Sequence, residues 1–416
     1  MVRTSWAGFF LLVPFLMGGN WPQWRGPHHN GVSHETGLPE TWSETTNIIW
    51  KLPMPGMGCS TPAIWGDRIF LTSENGSDIV LLCISTDGEK LWQKKIGSAT
   101  RKARGDEGNG ATASPSTDGQ YVFAFAGSGE LCCFTVNGQP VWQFNVQQRY
   151  GRFNIQFGMH STPTLHGDRL YMQTLHTDGQ WVFAIDKRTG KEIWKIDRPA
   201  DTPRHWESPH GYASTTLWQK GGEAVLIVHG NDYTTGHRLE DGAEIWRVGS
   251  LNKDGITHWR FVASPAAAED LIVIPTCKNG PTVAIRPDVK GHVKEGSEGE
   301  LWRYRATPDV PTPLIHDGLV YLCRAEGQVV CLDAKTGKVH YEDRGYNSRH
   351  RASPVLADGK IYLTARNGTF SVIAVGPEFR LISRHKLDDE FAASPAISNG
   401  RIYLRGFKSL YAVGRK

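Results

Sequence analysis

The feature that most constrains the fold of this chain is one short phrase that recurs eight times along its 416 residues. Each copy begins at a Ser or Thr and passes through a polar turn into residues that alternate between apolar and polar, and six of the eight copies end near an aromatic residue. The copies follow one another at intervals of about 40 to 55 residues, a period typical of folds built from stacked units. Their first residues are Thr61, Ser114, Thr162, Thr215, Ser264, Thr312, Ser353 and Ser394.

Each copy predicts four short antiparallel strands. The copy that starts at Thr162 shows this most clearly, because apolar and polar residues alternate on both sides of the turn at Gly167 and onward to Trp194. A four-stranded unit cannot bury both of its faces alone, and a large aromatic residue would fill the gap between twisted neighbours. The closing aromatic residues are Trp92, Trp142, Trp194, Trp246, Trp302 and Tyr341. The sequence therefore predicts an all-β fold, an eight-bladed β-propeller of four-stranded antiparallel blades.

The last copy lacks an outer strand, because the chain ends at Lys416 after two strands. The segment 47–52, Asn-Ile-Ile-Trp-Lys-Leu, has the apolar pattern and the Trp of the missing strand. We therefore predict that this N-terminal strand completes the last blade and closes the ring, which removes an open sheet edge. Residues 20–46 are then predicted to be a lead-in that wraps an outer face.

Residues 1–19 have the pattern of a signal peptide. Arg3 precedes an apolar stretch from Trp6 to Met17, and small residues follow it. The stretch is shorter than the about 20 residues of a typical membrane-spanning helix, although an uncleaved N-terminal anchor is the alternative. We predict that the protein is periplasmic or secreted, with residues 20–416 forming the propeller and no transmembrane span after the signal is removed.

The seven cysteines raise the question of disulfides in an exported chain. Cys83, Cys133 and Cys331 stand where other copies carry Ala184, Ala284, Ala374 or Ala412. This alignment indicates a tight buried site that a thiol fills as a small apolar group. A bond between Cys132 and Cys133 is the less favoured alternative, because neighbouring side chains of a strand point to opposite faces.

Composition excludes two broad classes. With 21% charged and 10% aromatic residues, the chain is too apolar for a wholly disordered protein. Its net charge of +4 is too small to indicate nucleic acid binding.

The repeats resemble the PQQ-like (pyrroloquinoline quinone-type) β-propeller family. The resemblance rests on the phrase from Ala184 to Trp194, Ala-Ile-Asp-Lys-Arg-Thr-Gly-Lys-Glu-Ile-Trp, and on the recurring Ser-Pro and Tyr-Leu pairs. The opening Trp-Pro-Gln-Trp-Arg-Gly-Pro at 21–27 is similar to that of exported planctomycete-type members. The family includes alcohol and glucose dehydrogenases that bind PQQ and calcium, and also the non-catalytic outer-membrane barrel-assembly scaffold. A shared fold does not choose between them.

A dehydrogenase of that family is expected to hold calcium through carboxylate and amide oxygens, beside an Asp general base and an aromatic floor. The acidic residues of this chain form no such set at successive blade tops, and sequence motifs for hydrolases, zinc proteases and nucleotide binding are absent. The nearest acidic candidates are Asp106, Glu107, Glu207, Asp232, Asp388, Asp389 and Glu390. We therefore predict no cofactor and no metal, with PQQ and calcium expected only if the protein is a dehydrogenase.

Basic and aromatic residues map to one end of the predicted ring. The segment before each inner strand and the turn between the second and third strands meet there, and these segments hold most of the Arg and His surplus. Convergent positive charge concentrates anions, and Arg binds carboxylate, sulfate or phosphate through paired donors. Ordinary polar loops are the alternative. The candidate ligand-binding residues are Arg152, His160, His210, Trp259, Arg260, Arg349, Arg351, Arg366 and Arg405.

Among these, His160 and His210 come directly before inner strands, so we expect them to point into the channel. The favoured function is a monomeric, non-catalytic binding or scaffold propeller. Its channel mouth would take a polar or anionic ligand, such as a glycan, or a protein partner, and no nucleic acid. The alternatives are a PQQ- and calcium-dependent alcohol or sugar dehydrogenase, and a lyase or hydrolase that acts on a glycan through Arg, His and Tyr.

Overall fold

The computed structural model describes residues 19–100, 108–198 and 209–415, which form eight antiparallel sheets in a ring. The predicted signal peptide therefore lies outside the described residues except for Gly19. The all-β, eight-bladed propeller is confirmed. Strands are numbered in chain order, and each blade is given from its inner to its outer strand.

The first four blades contain the following strands: β2 (Ala63–Trp65), β3 (Arg68–Asn75), β4 (Asp78–Ser85) and β5 (Lys90–Ser98); β6 (Ser116–Thr117), β7 (Tyr121–Phe125), β8 (Glu130–Thr135) and β9 (Pro140–Asn145); β10 (Thr164–His166), β11 (Arg169–His176), β12 (Gly179–Asp186) and β13 (Glu192–Asp197); β14 (Thr216–Lys220), β15 (Glu223–Gly230), β16 (Tyr233–His237) and β17 (Glu244–Val248). One short helix, α1 (Val146–Tyr150), follows the second blade.

The remaining blades contain the following strands: β18 (Ala266–Ala268), β19 (Leu271–Ile274), β20 (Thr282–Ile285) and β22 (Glu300–Tyr304); β23 (Leu314–His316), β24 (Leu319–Cys323), β25 (Gln328–Asp333) and β26 (Val339–Arg344); β27 (Val355–Ala357), β28 (Lys360–Thr364), β29 (Thr369–Ala374) and β30 (Leu381–Lys386); β31 (Ala396–Ser398), β32 (Arg401–Arg405), β33 (Ser409–Val413) and β1 (Ile48–Pro53). A further strand, β21 (Gly291–Val293), comes from an insertion in the fifth blade and pairs in parallel with β17 of the fourth.

The ring closes through the N-terminal strand, as the sequence predicts. β1 pairs antiparallel with β33, and Trp50 lies opposite Ala412. The closing strand therefore completes a blade whose other three strands come from the last 21 residues of the chain, which ties the two ends of the sequence together. Since β1 occupies the outer position, β33 has no open edge.

Five tryptophans each link their blade to the next one through the indole N–H. The indole N–H of Trp302, for example, donates to the main-chain oxygen of Ala334 at 2.8 Å. The indole of Trp302 also packs over Gly337, where an added Cβ would lie 2.6 Å from the indole. Only glycine fits such a contact, which explains the Gly that follows Asp, Asn or Thr in these turns. The other indole-to-turn hydrogen bonds are Trp50 to Thr86, Trp92 to Val136, Trp142 to Lys187 and Trp194 to Leu239.

The small residue opposite the closing position differs from the sequence alignment in one blade, the seventh, and the fourth blade adds a glycine that the alignment does not include. Cys83, Cys133 and Cys331 lie opposite Trp92, Trp142 and Tyr341, as the alignment implies. In the fourth blade, however, the position belongs to Gly236, and in the seventh to Val372 rather than Ala374. Where the closing residue is Ser383 instead of Trp, a larger partner fits. All seven cysteines are free thiols.

The seventh blade receives its tryptophan from the lead-in. Trp42 is 2% exposed and packs against Tyr362, Phe370 and His385, with ring centroids 6.2, 5.2 and 3.9 Å away. The lead-in therefore supplies to this blade a side chain that the repeat itself omits.

The prediction that residues 20–46 wrap an outer face is wrong for the first half of this segment. Trp21 pairs with Ile64, Gln23 bonds both main-chain groups of Leu165, and the main-chain N–H of Ser33 donates to Leu356. These partners lie on the inner strands of the first, third and seventh blades. Residues 21–32, called the plug from here on, therefore cross the end of the central channel opposite to the predicted mouth. Apolar Trp and Pro side chains in the lead-in find their burial there.

Candidate functional site

The central channel is lined by a ring of hydroxyl side chains. The Ser or Thr that opens each repeat faces the channel, and seven of these hydroxyls accept the main-chain N–H of the preceding blade's equivalent residue at 2.9–3.1 Å. This hydroxyl ring consists of Thr61, Ser114, Thr162, Ser214, Ser264, Thr312, Ser353 and Ser394. The first residue of the fourth copy is therefore Ser214, one position before Thr215 of the sequence alignment.

The plug closes one end of the channel. Arg25 is 2% exposed and donates to the main-chain oxygens of Pro354 at 2.6 Å, Asn30 at 2.9 Å and Pro313 at 3.1 Å. These bonds hold the plug to the sixth and seventh blades. The neighbouring Trp24 is partly exposed and lines the channel. The channel is thus a blind cavity of about 540 Å³ with an aromatic residue at its floor.

Five cationic side chains line the same cavity near its open end. They come from the segments before the inner strands of the fifth and seventh blades and from the turns between the second and third strands of those blades. They are Arg260, Lys278, Arg349, Arg351 and Arg366, called the cationic rim from here on. Two carboxylates, those of Asp309 and Glu326, line the cavity with them. The described part of the cavity wall therefore carries an excess of positive charge.

At least two of the rim cations form ion pairs with carboxylates of the described residues. Lys278 lies 3.3 Å from Glu326, and Arg366 lies 3.0 Å from Glu390. Burial raises the pKa of the Asp309 carboxyl, although the charge of Arg351 acts in the opposite direction.

The opposite side of the cavity is aromatic. Phe157 and His160 precede the third blade, which lies half a turn of the ring from the seventh, and Tyr212 precedes the fourth. Tyr212 packs edge-on to Phe157 with ring centroids 5.9 Å apart, and its hydroxyl accepts the Phe157 N–H at 3.3 Å. The guanidinium of Arg260 lies 4.7 Å from the Phe157 ring centre, where the two walls meet.

Of the nine residues predicted from the sequence, five line this cavity, namely His160, Arg260, Arg349, Arg351 and Arg366. His210 does not point into the channel, since it is 5% exposed and its Nε2 lies 3.1 Å from the Thr177 hydroxyl. Arg152 is exposed, and Trp259 packs beside Gly280, neither of them lining the cavity.

Arg405 also lies away from the cavity wall. It is fully buried, donates to the main-chain oxygens of Gly56 at 2.7 Å and of Gly406, and contacts the Ser73 hydroxyl at 3.2 Å. Burial lowers its pKa to about 10. Arg405 therefore connects the last blade to the first instead of facing a ligand.

Sequence reasoning missed the deepest part of the site. Trp24 falls in the segment that is predicted to wrap an outer face, and the Ser and Thr that open the repeats carry no predicted role in binding. The recurrence of a hydroxyl before each inner strand was the available signal, because eight equivalent positions converge on the axis of a ring. Lys278 lines the cavity but is not among the nine predicted residues.

Calcium does not fit the described residues of the cavity. They contain no group of three His, Cys, Asp or Glu side chains placed to hold a metal, and a calcium ion takes 6–8 oxygen ligands. Asp389 is occupied by the main-chain N–H groups of Lys408 and Ser409, and Asp232 accepts from Asn252 at 3.0 Å. Asp106, Glu107 and Glu207 lie outside the described residues. We derive no chemical step through a quinone or a metal.

Comparisons with known proteins agree with this architecture. The sequence matches the family described as "Outer membrane protein assembly factor BamB" over residues 53–196, 135–291 and 236–378. Curated relatives of that name come from Burkholderia pseudomallei (strain K96243), 28% identical over 32% of this chain, and from Moranella endobia (strain PCIT), 20% identical over 78%. The matches span 31% and 77% of those two proteins, so this chain matches less than a third of the Burkholderia relative.

Solved structures show the same fold. BamB from Moraxella catarrhalis superposes with a TM-score of 0.63 and 13% identity, over 86% of this chain and 94% of that one. Quinohemoprotein alcohol dehydrogenase from Comamonas testosteroni superposes with a TM-score of 0.72 and 12% identity, over 95% of this chain and 81% of that one. At these identities the likeness shows the fold alone, which an assembly factor and a dehydrogenase share.

Proposed function

The chain belongs to the family described as outer membrane protein assembly factor BamB, and we propose that it is an exported, non-catalytic binding propeller. Its binding face is the open end of the channel, which takes an anionic ligand or an acidic surface of a partner protein. The observation that carries this proposal is the cationic rim, where five cations and two carboxylates line one cavity.

The physical argument is electrostatic. Cations that converge on a concave, partly desolvated wall raise the local concentration of anions and speed their association. Arg side chains also offer forked donors that match carboxylate, sulfate and phosphate oxygens. The rim projects from loops that a rigid ring of blades positions, which is the usual arrangement of binding residues on a scaffold.

Export supports the same function. The apolar N-terminal stretch after Arg3 predicts a secretory signal, and the relatives bear the name of an outer-membrane assembly factor. Among the described residues no helix is long and apolar enough to cross a bilayer. A periplasmic or secreted scaffold needs no catalytic group, and the rim supplies the contact.

Retention on dextran sulfate, a polymer too large for the cavity, tests the rim. The double substitution Arg349→Gln with Arg351→Gln should elute at lower salt than the wild type and show a weaker dependence of retention on salt. The matched control is Arg238→Gln with Arg286→Gln. This pair removes the same charge from exposed turns at the plug end of the ring, where these side chains bond Asp241 and Asp288. Equal elution of the two double variants would refute the proposed binding face.

A quinoprotein dehydrogenase is the alternative function. The Comamonas likeness favours it at the level of fold, and Trp24 gives the channel an aromatic floor. Reconstitution with PQQ and Ca²⁺, followed by dye reduction with a panel of alcohols and aldoses, should give no activity. Turnover with any of these substrates would refute the non-catalytic function and support the dehydrogenase.

A further inference from the structure

Below the cationic rim, the cavity presents hydroxyl groups that can donate hydrogen bonds, in addition to the cations of the rim. Seven hydroxyls of the ring each accept one main-chain N–H, so one lone pair of each oxygen is already used. A hydroxyl also carries one hydrogen to donate. For these seven hydroxyls the described residues provide no protein acceptor for that hydrogen. Seven O–H donors therefore converge on the channel axis and need acceptors from whatever fills it.

The floor and the walls add two further requirements. Trp24 lies at the closed end, and Phe157 with Tyr212 forms the aromatic side, so the occupant needs a face of C–H groups or a flat ring. Most of the cationic rim lies across the cavity from that side, and the excess of described cations over carboxylates favours an occupant with an anionic group on one edge. A ligand that is rich in oxygen acceptors, has one ring face and carries a carboxylate meets all three requirements.

The size of the cavity restricts the ligand further. Its volume of about 540 Å³ is within the roughly 300–1,000 Å³ of small-molecule pockets. The plug closes the far end, so nothing can thread through the ring. The cavity therefore holds a small molecule or the end of a chain.

We infer that this blind cavity binds a carboxylate-bearing sugar, a uronic acid or the uronic-acid end of a glycan. The pyranose ring packs on Trp24, Phe157 and Tyr212, the hydroxyl ring donates to the sugar oxygens, and Arg351 with Arg349 pairs with the carboxylate. The inference deepens the proposed binding function and rests on it, because the sugar acid enters through the same cationic rim.

The test measures calorimetric binding of digalacturonate and of its uncharged methyl ester, which lacks the negative charges and carries a methyl group on each carboxyl. Digalacturonate should bind with one ligand per chain, and the ester should bind at least about tenfold more weakly, because it loses the charge-assisted pair with Arg351. Arg351→Gln should bring the two affinities together. Equal affinity of the acid and the ester for the wild type would overturn the inference.

A second variant separates the cavity from the rim. Val262 lines the cavity and is only partly buried, so Val262→Phe places a larger side chain in the channel without removing a hydrogen-bonding side chain of the ring. This variant should lose digalacturonate binding and keep the wild-type retention on dextran sulfate. Arg238→Gln, at the far end of the ring, should change neither measurement.

The two proposals fail in different ways. If the wild type is not retained on dextran sulfate, the binding face itself is refuted. If retention is normal but digalacturonate does not bind, or still binds to folded Val262→Phe, only the sugar-acid inference is overturned. Displacement of digalacturonate by PQQ at much lower concentration would also overturn it, in favour of the quinone.

Discussion

Two tryptophans at the same position of different blades allow the stability contribution of the indole-to-turn hydrogen bond to be measured separately from that of the ring. Trp302 and Trp246 are 7% and 1% exposed and lie opposite Ala284 and Gly236 of their own blades. The Trp302 indole N–H donates to Ala334 of the next blade, whereas the buried Trp246 indole N–H has no hydrogen-bond partner among the described residues. The insertion that carries β21 has replaced the turn that would accept it.

Because only Trp302 makes the hydrogen bond, Trp302→Phe and Trp246→Phe should lower the free energy of unfolding by different amounts. Each substitution removes a similar part of a buried ring, at a cost of about 1–2 kcal/mol. Trp302→Phe also loses a hydrogen bond worth about 1 kcal/mol, for a total of about 2–3 kcal/mol. Trp246→Phe instead removes a buried donor that lacks a partner. Removing it raises the free energy of unfolding by about 1 kcal/mol, so the net loss of stability is about 0–1 kcal/mol.

Denaturant unfolding followed by circular dichroism measures both free energies of unfolding, with unchanged m-values as the check that the two variants are comparable. The expected gap is about 2 kcal/mol, with Trp302→Phe the less stable protein. Equal losses, or a larger loss for Trp246→Phe, would refute the claim that the hydrogen bond, rather than ring volume, couples adjacent blades.

Further predictions concern the lead-in, acid stability and export. Trp42→Ala should lower the free energy of unfolding by about 3–5 kcal/mol, because it empties a buried site against the seventh blade; a loss below 1 kcal/mol in denaturant titration would contradict that packing. Burial lowers the pKa of His385 to about 4, so its unfolded form binds more protons between pH 6.5 and 4 and stability falls as the pH drops through this window. His385→Phe, which removes two buried ring nitrogens without partners, should make that fall shallower by about 1.4 kcal/mol per pH unit; an unchanged slope of stability against pH would refute it. N-terminal sequencing of the exported protein should find the first residue near position 20, and retention of Met1 in that fraction would favour the uncleaved anchor.

The repeated phrase determined the number of blades and the closure of the ring, because strand alternation and turn chemistry are local and recur eight times. It also placed Arg260, Arg349, Arg351 and Arg366 at one end, since the position of a residue within a blade fixes which end of the channel it meets. Those inferences need no knowledge of contacts between blades.

Only the tertiary structure decided which of those residues face the cavity. Arg405 occupies the same turn of its blade as Arg366, yet it is buried among the main-chain oxygens that join the last blade to the first. The path of the lead-in was equally hidden, because nothing local distinguishes a segment that wraps an outer wall from one that crosses the channel. Its Trp42 packs against Tyr362, Phe370 and His385, more than 300 residues away in the sequence. Such contacts depend on the shape that the closed ring presents, which exists only after every blade has folded.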